Sequence, residues 1–524
     1  MNNPHIDAIC IAAEDNTATM LCDAPAGRGI TIAKAGEGAA RLHLVLAEDV
    51  SFGHKVAVKK IPEGSLVLKY GEVIGRATKT IESGAHVHVD NVESLRGRGD
   101  EAADGEMEKT VPQTGSCAAV EGGGADGALV LKKPLIDAAA EVFMGYPRAD
   151  GSAGTRNLVG VISCVACAND VVQRLGDIDG VALFTHQQGC SQTMPDVERI
   201  TEVLVNLALN PNLGAVVLVS LGCESVPSGK VLEAVRAAGK PAEMIVIQKE
   251  GGLSASVARA REILETLKAK IARKPEPVPI AKLRVGLKCG SSDTTQGLSA
   301  NVAAGALTDI LAAAGAGVVI GETTEFMGAE HIAAQHAANP QVARRIAELV
   351  ERMEQRARSV GVDMRGGQPT RGNIAGGLTT IEEKSLGALA KAGSAVYQDV
   401  IDYGERCSAA GLVMMDAPGR EPEMLTGLAA SGCNLIVFTT GRGAPQGFPF
   451  VPVVKVTGNA RTFERMREHM DLCVAGLLEG TMTLQQAAQA LLQVVLQTAS
   501  GAATKAEECG YNNSMNIYVT GPVI

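Results

Sequence analysis

A chain of 524 residues has room for two to four hydrophobic cores. Its 3% aromatic content, lack of Trp and 60 glycines favour close-packed α/β layers over a β-sandwich. A formal charge of −10, from 48 Lys and Arg against 58 Asp and Glu, excludes the basic footprint of a nucleic-acid binder.

No apolar run approaches the roughly 20 residues of a membrane-spanning helix, and the first residues, MNNPHIDAIC, lack the basic-then-apolar pattern of an export signal. A cytoplasmic setting with reduced thiols is expected for the twelve cysteines. Residues 1–94 predict a small, mostly-β module, because the run 53–89 alternates apolar and polar residues and turns at PEG, YGE and ESG. His86 and His88 fall two apart on one strand and share a face, where with His54 they could hold a cation. Asp15 and Asn16 could join them if the N-terminal strand pairs alongside; solvated surface histidines are the structural alternative. Residues 95–142 are rich in Gly, Ala and acid without apolar periodicity, the pattern of a flexible tether, and include Cys117.

A second module is expected at 143–275. LVGVISC, VALFTH and AVVLVSLGCES read as buried strands and VERITEVLVNLAL as a helix, the alternation of a doubly wound parallel sheet. After a proline-broken linker, residues 284–524 repeat the pattern with RVGLKCG, AGVVIGE, SAVYQDV, GLVMMDAP, NLIVFTT and VPVVKV as strands. The fold class is therefore α/β, a small N-terminal mostly-β domain followed by two doubly wound α/β domains.

The polar residues of interest follow strand ends, where open α/β sheets bind ligands. Cys164, Cys190, Cys223 and Cys289 each follow an apolar stretch, and separated thiolates of this kind could hold an iron–sulfur cluster or soft metal. Small cysteines packed at strand ends are the alternative. Glu322 and Glu325 in GETTE could ligate a hard cation, shuttle protons or complement a helix N-terminus. Asp293 and Asn301 enter a helix from a polar turn, Arg442 follows another strand, His186 precedes the Gly189–Cys190 turn, and Arg156 closes the loop begun by Arg148. Together they outline a cleft for an anion. In GGLTTIEEKSLG (376–387), Thr379 or Thr380 can cap a helix, with Glu383 placed for a capping box and its acids solvated. The glycine-rich loop before it carries Arg371 and Asn373, groups suited to a carboxylate ligand at a helix N-terminus.

The segments DNTA, GHKVA, YGEVIG, HVHVDN, GYPRADGSAGTRN, HQQGCSQ, LGCE, CGSSDTTQGLSAN, ETTEFMGAE, GNIAGGLTTIEEKSLG and FTTGRG, in this order along nearly the whole chain, resemble the altronate/galactarate dehydratase family with its N-terminal SAF domain. CGSSDTTQG and QPTRGN depart from the family's pattern in loops that could contact substrate. The resemblance implies loss of water from a 2,3-dihydroxy sugar acid, through an enol, to a 2-keto-3-deoxy acid. It also implies a divalent metal (Fe2+, Mn2+ or Mg2+); the iron–sulfur cluster read from the four cysteines is the alternative. On that reading Lys384 or His186 is the base and Glu325 a third catalytic group. Arg371, Asn373, Arg442, Asn301, Asp293 and Arg156 bind substrate. His54, His86, His88 and Glu322 hold the metal, with Cys164, Cys190, Cys223 and Cys289 as the alternative set. The expected partner is a small-molecule sugar acid, with no nucleic acid or membrane, in a homo-oligomer. Two rivals stand beside it: a sulfo-lyase releasing sulfite from sulfolactate, and a non-catalytic sugar-acid-binding protein.

Overall fold

The computed structural model describes residues 6–34, 41–96, 135–362, 364 and 368–524. Most of the tether expected at 95–142, including Cys117, lies outside the described residues.

The N-terminal domain is strand-rich, as its alternation predicts. One six-stranded sheet runs in the order Arg41–Val45, Gly29–Lys34, Ala8–Cys10, Thr17–Met20, Lys55–Ala57, His86–Val87, and a smaller sheet joins Leu66–Lys69, Glu72–Ala77 and Val92–Glu93. Ile30, Ile32, Val56, Val67 and Ile74 form the interior. Lys55 pairs antiparallel with Val87 and Val56 with His86. Continuing that register places His54 opposite His88, and the two-residue period of a strand puts His86 on the same face.

The second domain holds a parallel sheet of β1 (Leu158–Ser163), β2 (Val181–Phe184), β3 (Leu213–Ser220) and β4 (Ala242–Val246), in the order β2-β1-β3-β4. Every residue of β3 is buried, as the covered faces of a parallel sheet require. β4 escaped the sequence reading because its outward Glu243 breaks the apolar run.

The third domain builds a seven-stranded parallel sheet from β5 (Arg284–Gly290), β6 (Gly317–Ile320), β7 (Tyr397–Ile401), β8 (Gly411–Met415), β9 (Leu435–Thr440), β10 (Val453–Thr457) and β11 (Leu472–Cys473). Their order is β7-β8-β6-β5-β9-β10-β11. From β5 the chain passes to β6, out to the edge strand β7, back to β8 between those two, then returns to lay β9 on the other side. The crevice beyond Gly290 and Thr440 is therefore the switch point where ligands of such sheets bind. Among the described residues no helix is long and apolar enough to cross a membrane.

Candidate active site

Four short segments converge on that switch point. Helix α1 (Thr294–Leu298) starts just past β5 and is capped by Asp293, whose carboxylate accepts from the Gln296 N–H at 3.0 Å and from Thr295 Oγ1 at 2.6 Å. Asn459 Nδ2 donates to its other oxygen at 3.1 Å, and burial raises the Asp293 pKa. A side chain at Gly441 would collide with this carboxylate, so the turn after β9 can pass only as glycine. The segment expected as a loop before 377 contains instead a short helix, α2 (Arg371–Ala375), because Thr370 and Asn373 form a reciprocal capping box. Asn373 Nδ2 also donates to the Ser292 carbonyl at 2.9 Å, Thr294 N–H to Gly376 at 3.0 Å, and Arg442 Nη1 to Gly372 at 2.9 Å. Residues 372–377 are thus pinned to the ends of both β5 and β9.

The N-terminal domain docks onto the same six residues. Lys55, next to His54, donates its Nζ to the Gly377 carbonyl at 2.7 Å. His54, His86 and His88 each bring a ring nitrogen within 4.8 Å of the others, and His54 Nδ1 lies 2.9 Å from His86 Nε2. His88 Nδ1 is buried without a hydrogen-bond partner. Burial, then the neighbouring His54 and Lys55, holds the His86 pKa down at about 4; burial, then Lys55 and His54, does the same for His88. Burial also lowers His54. Three neutral imidazoles with an orphaned nitrogen fit a borderline divalent metal.

Behind this face lies a buried ion trio. Thr380 caps α3 (Ile381–Leu389) through the Glu383 N–H, but the Glu383 side chain does not complete a capping box. It turns inward and accepts from Lys55 at 2.9 Å, Lys69 at 2.7 Å and Thr379 N–H at 2.9 Å. Glu383 and Lys55 have no solvent exposure. Burial alone would raise the Glu383 pKa, yet the two ammonium groups hold it at about 2; burial lowers Lys55 to about 8. The solvated acidic turn expected here is absent, since Glu382 is also buried, accepting from Ser94 Oγ and the Leu95 and Arg96 N–H groups.

One turn further, α3 faces a second charged group. Lys391 Nζ lies 2.8 Å from Glu325 and 2.7 Å from Cys289 Sγ, Glu322 pairs with Lys288 and accepts from Cys289 N–H at 2.9 Å, and all five side chains are buried. Glu322 adopts a left-handed backbone (φ 67°), a strained conformation for a non-glycine residue. Burial and Glu325 push the Glu322 pKa up; for Glu325, Lys391, Lys384 and Lys288 outweigh burial and pull it down. Two adjacent carboxylates are thereby split into an acid and an anion. Lys384 Nζ reaches this group at 3.9 Å from Glu325 and donates to Gln368 Oε1 at 2.6 Å. Cys289, Glu322 and Glu325 also bring ligand atoms within 4.8 Å. Their negative charge is already met by two buried lysines, so they suit proton storage better than a cation.

Three family models match in series: the altronate/galactarate dehydratase SAF domain over residues 6–95, the second domain of D-galactarate dehydratase/altronate hydrolase over 145–272, and the C-terminal D-galactarate/altronate dehydratase domain over 280–522. The chain is 32% identical over 479 residues to altronate dehydratase of Bacillus subtilis strain 168, covering 88% of this chain and 91% of that one. The chain belongs to the altronate/galactarate dehydratase family. It is an enzyme, a carbon–oxygen lyase. Galactarate dehydratase (L-threo-forming) of Escherichia coli K12 is 30% identical over 503 residues, 92% of each chain. The beta subunit of (2R)-sulfolactate sulfo-lyase from Chromohalobacter salexigens is 37% identical over 372 residues, 70% of this chain and 95% of that one.

Within this dehydratase, other residues singled out in the sequence lie away from the switch point or serve its framework. His186 is buried in the second domain; Nε2 donates to the Ser163 carbonyl at 2.8 Å and Nδ1 accepts from Gln188 N–H at 3.1 Å, leaving no nitrogen for a substrate. Arg156 is taken up by Glu507 and the Thr155, Thr498 and Ala502 carbonyls. Asn301 is buried, bridging Thr439 Oγ1 at 2.6 Å and the Gly387 carbonyl at 2.8 Å. Arg371 is exposed at the start of α2. Cys164 is buried in the second domain and Cys289 in the third. A cavity of about 240 Å³ lined by Arg148, Lys240 and Arg273 also lies in the second domain; Arg148 Nε and Lys240 Nζ donate to the Pro211 and Asn210 carbonyls. Sequence reasoning missed Lys55, Lys69, Lys288 and Lys391. The available signal was a lysine inside an otherwise apolar strand, as in KVA and RVGLKCG, which does not say which way its side chain turns.

Proposed function

We propose that this chain removes water from an altronate- or galactarate-like 2,3-dihydroxy acid, giving a 2-keto-3-deoxy acid with metal assistance. One observation carries this: residues 372–377 tie the three-histidine face of the SAF domain to the switch-point arginine of the C-terminal domain. The substrate is an anion whose reacting carbons need both a cationic anchor and help for a departing hydroxyl.

Arg442 spends one of its five donors on Gly372 and offers the planar fork that matches a carboxylate. Asn373 and Asp293 hold the loops that aim it. His54, His86 and His88 would hold the metal, and their donor chemistry favours Fe2+ over Mg2+, which prefers oxygen ligands. When bound, the metal supplies Lewis-acid polarisation of substrate oxygen. Lys384 takes the proton from C2, with the Glu325–Lys391–Glu322 group beside it. The C3–oxygen bond then breaks, the hydroxyl leaves as water with the proton that Lys384 took from C2, and the enol tautomerises to the ketone.

The similarity to the sulfo-lyase subunit supports a second reading, in which sulfite leaves a sulfonated hydroxy acid instead. A panel of aldonic and aldaric acids, with Fe2+, Mn2+ and Mg2+ in turn, is assayed for keto acid, and sulfolactate for sulfite. Keto acid from a six-carbon dihydroxy acid without sulfite from sulfolactate is the expected result. Sulfite release with no turnover of any sugar acid overturns it.

A further inference from the structure

The second domain has a switch point of its own. β1 lies between β2 and β3, and the loops leaving the C-terminal ends of these three strands carry Cys167, Cys190 and Cys223. Backbone contacts draw the loops together. Ala166 N–H donates to the Gln188 carbonyl at 2.9 Å, Ser225 N–H to the Gly189 carbonyl at 3.0 Å, and Ser191 N–H to Ser225 Oγ at 3.2 Å. Gly189 (φ +110°) passes so close to the first loop that a Cβ there would meet the Cys164 carbonyl at 2.6 Å. Each contact involves a residue within two positions of one of the three cysteines.

All three thiols are exposed, which is unusual for cysteine, among the most buried of residue types. No disulfide joins the described cysteines. The nearby carboxylate of Glu224 is turned back on Ser220, Ser228 and the Gly222 N–H. Among the described residues they are not one of the groups whose ligand atoms fall within 4.8 Å of one another. One tetrahedral ion would need sulfurs roughly 3.8 Å apart, given Zn–S near 2.3 Å. Convergent but wider-set thiolates match the several irons of a polynuclear cluster.

We propose that Cys167, Cys190 and Cys223 ligate a [4Fe–4S] cluster in the second domain, leaving one iron open to an oxygen ligand of a small hydroxy acid. Cys164, buried beneath the loop, and Cys289, in another domain, take no part. Each thiol gives up its proton on ligating iron. The cluster itself requires two ferrous ions, two ferric ions and four sulfides.

The test is anaerobic reconstitution of the full chain with equal ferrous and ferric iron and with sulfide, followed by iron and acid-labile sulfide analysis and electron paramagnetic resonance after dithionite reduction. About four sulfides per chain are expected in wild type, in C164A and in H54A, with about four irons in H54A and one more wherever the histidine site is intact. C167S, C190S and C223S should each fall more than tenfold. In wild type alone, alkylation followed by mass spectrometry should show these three thiols protected by loading while exposed Cys509 stays reactive. Absence of acid-labile sulfide from the iron-loaded H54A protein, a cluster retained in the triple serine variant, or equal alkylation of the three thiols before and after loading overturns the assignment. Sulfide content does not depend on any sugar acid being turned over, so this result stands apart from the dehydratase reading.

Discussion

Glu383→Gln isolates the device that seats the SAF domain. In wild type the carboxylate sits at about 2 against an ordinary 4.5, a difference worth about 3 kcal/mol in favour of the folded state at neutral pH. Lys55, lowered from 10.5 to about 8, costs about the same in the other direction. Those two ions come close to cancelling, as buried pairs generally do, and Lys69, raised because Glu383 and Tyr70 outweigh its burial, leaves the trio on the favourable side. Removing the carboxylate charge breaks that balance: two ammonium groups remain without solvent or counter-ion, a loss of about 3–5 kcal/mol. For a cooperative unit of roughly 150–250 residues this lowers Tm by about 6–20 °C. Acid adds a second signature. A carboxylate with a depressed pKa stabilises above its unfolded value and loses that contribution as pH falls, so wild type should lose about 3 kcal/mol between pH 4.5 and pH 2. Glu383→Gln should lack that segment of the acid titration. Calorimetry and acid unfolding measure both, and Lys55→Met with Lys69→Met and Glu383→Leu should recover most of the lost stability by making the site apolar. A Glu383→Gln protein melting within about 1 °C of wild type would refute the account.

Elemental analysis of His54→Ala, His86→Ala and His88→Ala, each loaded with Fe2+ without sulfide, should show bound iron falling more than tenfold; stoichiometric iron in all three removes the histidines from metal binding. Arg442→Ala should raise KM by roughly 10- to 100-fold, the size of a lost charge-assisted hydrogen bond, with Arg442→Lys recovering little because the fork is gone. An unchanged KM for every carboxylate substrate clears Arg442 of anion binding. Lys384→Met should lower kcat by roughly 10²–10⁴ while KM moves only a few-fold. Wild-type turnover in that variant clears Lys384 of the base role.

The α/β class and the family were legible because they rest on patterns repeated over long stretches: apolar strands alternating with helical spacing, and eleven motifs in one order. The buried lysines were not legible. In KVAVKK the alternation can be satisfied with either lysine facing water, and only the partner Glu383, more than three hundred residues away, decides that Lys55 turns inward. The same long-range pairing defeated the acidic-turn reading of Glu382 and Glu383, because local helix capping predicts solvated acids wherever no distant cation is visible. β11 was missed for a simpler reason: two residues carry no measurable period.

Residues 372–377 are short of side chains, and that is what lets them serve two domains. A Cβ at Gly377 would meet the Gly53 carbonyl at 2.2 Å, and one at Gly376 would meet Asp293 Cβ at 2.7 Å. With both absent, the SAF histidine turn and the helix-capping turn after β5 can approach the same strip of backbone from opposite sides. Any displacement of that strip must move the histidine face and Arg442 together, since Lys55, beside His54, and Arg442 are each hydrogen-bonded to it. Chemistry that needs an anion anchor and a polarising centre at a fixed separation is served by such a shared strip, and a Gly377→Ala substitution should weaken metal binding and raise KM at once. Loss of one without the other would mean that the two groups are positioned independently.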